Sequence, residues 1–192
     1  MTTIDGRPRS LADYAGRPFV LQTGSSTCGP HVSTIVPMNA IAAAHPDVAF
    51  LVLYVREAHP GERRGPHRNL ADKTGCARDL QREGERREIL IDDLDGTLHR
   101  ALGSMPNCTF VVDPSGIVEY LNIWTHPPAI RQFLDQGSAP DRGHKVSPPK
   151  PGPARRSLQR GGWLALWDQL KSAPALIRYH RRTRGKGVGS TP

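Results

Sequence analysis

Apolar residues in this chain fall alternately in short unbroken runs and at helical spacing. Phe19-Val20-Leu21-Gln22 is a short apolar run suited to a buried strand. From about Gly29 to Ala44, Val32, Ile35, Met38, Ile41 and Ala42 recur at steps of three or four, which predicts a helix. Pro30 falls in its first turn, where a missing N–H is harmless, whereas Pro37 predicts a kink. Residues 48–55, Val-Ala-Phe-Leu-Val-Leu-Tyr-Val, are almost continuously apolar, as a strand covered on both faces should be. A polar loop from Glu57 to Asn69 follows, then a helix over 70–83, a strand over 88–92 and a short helix over 96–102. Thr109-Phe110-Val111-Val112 and Ile117-Val118-Glu119-Tyr120-Leu121 flank Asp113-Pro114-Ser115-Gly116, a hairpin signal. A last helix is expected over 127–136, beginning at a proline pair.

Strand–helix alternation at the front argues for parallel βαβ units, and the terminal hairpin adds an antiparallel pair. The expected architecture is α/β: a central mixed sheet flanked by helices, on the plan of a thioredoxin-like fold, with a basic C-terminal extension. Residues 1–137 form the expected domain, with turn residues over 5–17 leading into the first strand. Residues 138–160 are rich in Pro, Gly, Arg and Ser and read as a linker. Residues 161–192 read as a basic tail in which Trp163, Leu166, Trp167 and Leu170 share one stripe of a short amphipathic helix.

Charge sharpens that division. The net charge of +8 is an average over unlike parts. Residues 1–137 hold 14 Lys/Arg against 16 Asp/Glu, and residues 138–192 hold 12 Lys/Arg against only Asp141 and Asp168. The front domain therefore has no electrostatic footprint for nucleic acid, and no specific nucleic-acid partner is expected. Three cysteines do not make a secreted disulfide framework. No apolar leader opens the chain and no stretch reaches a membrane-spanning length. The expected location is cytoplasmic, with the option of peripheral membrane contact through the tail.

The candidate chemistry centres on Cys28. A thiolate is the reacting form of cysteine, and a helix N-terminus offers partial positive charge and unpaired N–H groups that favour it. Cys28 falls after a buried strand and at the start of a helix, with Ser25 and Thr27 as hydroxyl neighbours able to contact a thiolate or substrate. Cys28-Gly29-Pro30-His31 resembles the thioredoxin tetrad Cys-Gly-Pro-Cys with its second cysteine replaced. A resolving thiol must then be Cys108, which precedes the fourth strand, or Cys76, or an external small thiol. Cys76 sits in an expected surface helix and reads as structural.

Three motifs in register resemble the iodothyronine deiodinase family. Gly24-Ser25-Ser26-Thr27-Cys28-Gly29-Pro30 is similar to that family's Gly-Ser-Cys-Thr-Sec-Pro-Pro, with cysteine in place of selenocysteine. Glu57-Ala58-His59-Pro60 and His67-Arg68-Asn69-Leu70 are similar to its two histidine segments, in the same order and the same loop. The resemblance covers about residues 10–136. It implies that Cys28 is the nucleophile, that His59 is a general acid/base or substrate clamp held by Glu57, and that His67 completes a proton relay or a substrate contact, with Arg68 at the substrate. Ser26 stands where the family carries a second cysteine, and His31 where it carries phenylalanine. A thiol reaction needs a partner that titrates near neutral pH, and histidine is that side chain.

The implied activity is a thiol-dependent oxidoreductase acting on a small molecule in reductive dehalogenation or related redox chemistry. It needs no bound cofactor and takes its electrons from an external thiol or a thioredoxin-type reductase. Two alternatives stay open: a peroxidase or disulfide reductase, and a non-catalytic binding module. A peroxiredoxin motif, Pro-x-x-x-Thr-x-x-Cys, would place proline at Leu21 and threonine at Ser25 and is not met. No metal site is expected, because nothing in the sequence completes a ligand set around His59 and His67. A homodimer is compatible with the chain. The tail allows either contact with an anionic membrane or a purely solubilising role.

Overall fold

The computed structural model describes residues 1–105, 107–137, 151–168, 170, 171 and 174. Six strands form one mixed sheet: β1 (Thr2–Thr3), β2 (Phe19–Gly24), β3 (Ala49–Tyr54), β4 (Glu88–Ile91), β5 (Thr109–Val112) and β6 (Val118–Asn122). Their order is β1-β4-β3-β2-β5-β6. β2, β3 and β4 run parallel, in register Leu21↔Leu51 and Leu53↔Leu90, while β1, β5 and β6 pair antiparallel. The helices are α1 (Gly29–Ala44), α2 (Leu70–Arg82), α3 (Thr97–Ala101), α4 (Pro127–Gln136) and α5 (Pro151–Gly161).

Alternation along the strands sorts the core onto two faces. Phe19, Leu21, Leu51, Leu53, Phe110 and Val112 face one side, where the 3-10 turn at Leu11–Tyr14 and α3 pack. Val20, Phe50, Val52, Tyr54, Ile89 and Val111 face the other, against Val32, Ile35, Met38 and Ile41 of α1 and residues of α2 and α4. Both faces of β2 and β3 are buried throughout, which is why neither strand alternates with polar residues.

α1 continues through Pro37, whose ring lies on the exposed side with Val36. The two-residue β1 and the 3-10 turn were not foreseen. Residues 151–160, expected as linker, are helical instead: Pro151 and Pro153 fall in the first turn of α5, and Ala154 to Arg160 are mostly good helix formers. Residues 138–150 lie outside the described residues. Of the tail, residues 163–168, 170 and 171 are helical, and nearly all of the rest lies outside the described residues. Among the described residues, no helix is long and apolar enough to cross a membrane.

Candidate active site

β2 ends at Gly24, and the chain turns through residues 25–27 before Cys28 caps α1 from an extended conformation. Gly24 has a packing reason to lack a side chain: a Cβ there would lie 2.2 Å from Nδ1 of His31. The His31 ring is fully buried against this backbone, and neither of its nitrogens has a hydrogen-bond partner. Burial pushes its pKa down to about 4, with Glu85 opposing, so the ring is neutral at pH 7.

Glu57, just beyond β3, ties the cysteine turn to the following loop. Its carboxylate accepts five hydrogen bonds. Oε1 takes them from Ser26 Oγ (2.9 Å), the Tyr54 hydroxyl and His67 Nε2 (3.3 Å), and Oε2 from Thr27 N (2.9 Å) and Thr27 Oγ1 (2.6 Å). Burial alone would raise its pKa, but bonds from His67, Thr27 and Tyr54 outweigh that and hold it at about 2. A fixed negative charge therefore sits beneath the cysteine turn. Because an ionised carboxylate only accepts, His67 must present Nε2–H to it.

Cys28 is 2% exposed. Burial raises its thiol pKa to about 12, the nearby His31 amide works in the opposite direction, and the Glu57 charge adds to the rise. The helix N-terminus was expected to lower this value. It does contribute its N–H, but desolvation dominates.

The remaining expected site residues distribute unevenly. Ser25 and Thr27 are both buried and bond to the loop that follows β3: Ser25 Oγ accepts from Ala58 N at 3.1 Å, and Thr27 Oγ1 accepts from His59 N at 3.1 Å while donating to Glu57. Glu57 holds His67 and not His59. The His59 ring is partly buried, and its Nδ1 lies 2.8 Å from Oδ2 of Asp168. Arg68 lies on the surface just before α2, paired with Asp72 of that helix's first turn at 3.3 Å. Cys108 is buried in the core on the α3 side, 3.3 Å from Thr23 Oγ1, and burial raises its thiol pKa. The three cysteines are all unpaired.

Two residues not foreseen, Tyr54 and Arg64, complete the site together with Cys76, expected only as a possible resolving thiol or a structural cysteine. Tyr54 hydrogen-bonds Glu57 from the end of β3. Arg64 donates to Ser26 Oγ at 2.6 Å and pairs with Asp79. Cys76, read as a surface cysteine, lies with Glu57 and His67 so that their donor atoms fall within 4.8 Å of one another. Its signal was present: Lys73, Cys76, Ala77 and Leu80 share the inward stripe of α2. A carboxylate, an imidazole and a thiol do converge, contrary to the expectation that no ligand set forms. Both Glu57 oxygens already accept hydrogen bonds within the protein, and burial pushes the Cys76 thiol up to about 11.

The architecture is shared with solved redox proteins of low sequence identity. A secreted Mycobacterium tuberculosis disulfide oxidoreductase superposes with a TM-score of 0.56 at 16% identity, covering 70% of this chain and 92% of its own. The exposed lipoprotein thioredoxin of Streptococcus pneumoniae gives 0.56 at 22% identity, covering 71% and 96%. These likenesses fix the fold as thioredoxin-like. The sequence profile of iodothyronine deiodinase matches residues 3–123, which include Cys28, Glu57, His59 and His67. The chain belongs to the iodothyronine deiodinase family. Thyroxine 5-deiodinases of Sus scrofa and Homo sapiens are each 30% identical over 122 residues, covering 57% of this chain and 40% of theirs. That of Gallus gallus is 28% identical over 129 residues, covering 60% and 50%. The chain thus spans half or less of the length of these family members. α5 and Asp168 lie beyond the matched segment.

Proposed function

We propose that this deiodinase-family protein is a thiol-dependent oxidoreductase in which Cys28, in the place of selenocysteine, removes a halogen from a small aromatic substrate. The observation that carries the reading is the Glu57 carboxylate, which joins Ser26 and Thr27 of the cysteine turn to His67 of the histidine loop in one hydrogen-bonded unit.

A thiol held protonated at rest must lose its proton as it attacks, so it needs a general base. His59 takes the Cys28 proton. Sulfur attacks the iodine of an aryl iodide, the carbon–iodine bond breaks, and the imidazolium returns the proton to the ring carbon. The products are a sulfenyl iodide on Cys28 and the deiodinated arene. An external thiol displaces iodide to form a mixed disulfide, and a second thiol releases Cys28 and leaves as the disulfide. The sum consumes two thiols per aryl iodide and yields arene, iodide and disulfide. An external thiol or thioredoxin-type reductase suits the site, since Cys108 is buried in the core and Ser26 replaces the family's second cysteine.

The test is iodide release from an iodinated phenol in the presence of dithiothreitol. Wild type releases iodide with one equivalent of disulfide formed, and Cys28→Ser releases none. Reduction of peroxide or of a disulfide substrate, with no iodide release, would assign the same thiol to the alternative chemistry. Peripheral contact with anionic membranes is supported by the exposed Trp163, Leu164, Trp167 and Leu170 beside the basic tail. Cosedimentation with anionic but not neutral vesicles tests it.

A further inference from the structure

The C-terminal arm is fitted closely to the loop that carries His59. Glu62 accepts from the backbone N–H groups of Trp163 and Leu164 (2.9 Å for the latter), capping the helix that begins there. Gly162 has φ of +83°, and a Cβ on it would strike the Glu62 carboxylate at 2.1 Å. A Cβ on Gly161 would lie 3.1 Å from the His59 carbonyl and 2.2 Å from the Ala165 methyl. One on Gly61 would lie 2.0 Å from the Gly161 carbonyl oxygen. Three glycines thus let two backbones lie in direct contact. Arg160, one residue earlier, donates to the Ser26 carbonyl at 2.6 Å and pairs with Glu83. The next turn and a half of helix carries Asp168 to His59, with 2.8 Å between Oδ2 and Nδ1.

We propose that Asp168 is a positioning residue for His59: its carboxylate holds the imidazole in the Nδ1–H tautomer and leaves the Nε2 lone pair as the base. An acceptor at one ring nitrogen decides which nitrogen carries the proton. Here the deciding group comes from a segment that the family's sequence profile does not reach. The inference rests on the proposed role of His59 as the acceptor of the thiol proton. It deepens that role by giving the loop histidine a carboxylate partner other than Glu57, which already serves His67.

The test uses the full chain labelled with 15N-histidine, with the His59 ring signals assigned by their loss in His59→Gln. Above the histidine titration, wild type should show a protonated Nδ1 and a pyridine-like Nε2 at His59. Asp168→Ala should move the ring to the Nε2–H form that neutral histidine favours in water, and Asp168→Glu should restore Nδ1–H. In iodide release, Asp168→Ala should lower kcat by on the order of tenfold or more, with KM little changed, and Asp168→Glu should recover part of it. Asp168 is exposed, so thermal melts should be nearly unaffected. An Nε2–H tautomer in wild type, or a tautomer indifferent to Asp168→Ala, overturns the proposal. The ring spectrum is read without substrate, so it decides this question even if Cys28→Ser leaves turnover intact and the proposed reaction falls.

Discussion

The two histidines of the loop between β3 and α2 are served by carboxylates of opposite character. His67 meets Glu57 inside the fold, with side chains 6% and 0% exposed. His59 meets Asp168 at the surface, with 22% and 56% exposed. Glu57 is held by five donors from four residues and stays ionised against its own burial. Asp168 reaches its partner only because the arm docks. A buried carboxylate hub belongs to the fold, and its loss should break the molecule. A docked surface carboxylate serves the proposed chemistry, and its loss should spare the fold and alter the proton.

The largest effect should come from the hub. Glu57→Ala strands the Thr27 amide and four side-chain donors, and should reduce stability by about 3–5 kcal/mol, as breaking buried charged networks does. Denaturant melts at neutral pH measure it. A loss below about 1 kcal/mol, no more than an exposed ion pair contributes, would erase the contrast with Asp168.

Next is the pH dependence of stability. His31 has a folded pKa of about 4 against an ordinary 6.5, so the unfolded chain binds the proton more readily between those values. Stability should therefore fall as pH drops from about 6.5 to about 4, by about 3 kcal/mol in all at 1.36 kcal/mol per unit. Glu57, held at about 2 against 4.5, adds a separate loss as pH falls through that lower window. His31→Phe should remove the upper window and leave the lower one. It should also stabilise the protein at neutral pH by about 1 kcal/mol or more, since it replaces two unpaired buried nitrogens by carbon.

A smaller effect tests the docked arm. Gly162→Ala meets both a positive φ and the Glu62 carboxylate, and should release the arm at a cost of about 1–3 kcal/mol to its docking. With Arg160 lifted from Ser26, iodoacetamide should alkylate Cys28 several times faster, while the domain's melting temperature changes little. Unchanged alkylation would mean that the arm does not guard the thiol.

Much of this was readable in the sequence, for identifiable reasons. β3 stood out because both its faces are covered, and α1 because Val32, Ile35, Met38 and Ile41 keep helical spacing. Cys28 at the head of α1 followed from a buried run giving way to Cys-Gly-Pro. What was not readable depended on the path of a loop. His59 and His67 are eight residues apart, and nothing local says which of them turns inward to Glu57. Cys76 lay on an inward stripe of α2 whose other members are a lysine, an alanine and a leucine, too mixed to read as buried. α5 was hidden because its prolines sit in the first turn, where they do no harm, inside a window whose composition resembles a linker. The depressed thiol pKa expected of a helix N-terminus failed because the turn around Cys28 is dry, and dryness is a tertiary property.

The central claim is that Cys28 carries the reaction. The most direct measurement is mass spectrometry of the protein quenched during turnover of an iodinated phenol with an external thiol. Cys28 should appear as a mixed disulfide with that thiol, formed in step with iodide release, while Cys76 and Cys108 remain free. Iodide release at full rate with Cys28 unmodified, or with the adduct on Cys76 or Cys108, would contradict it.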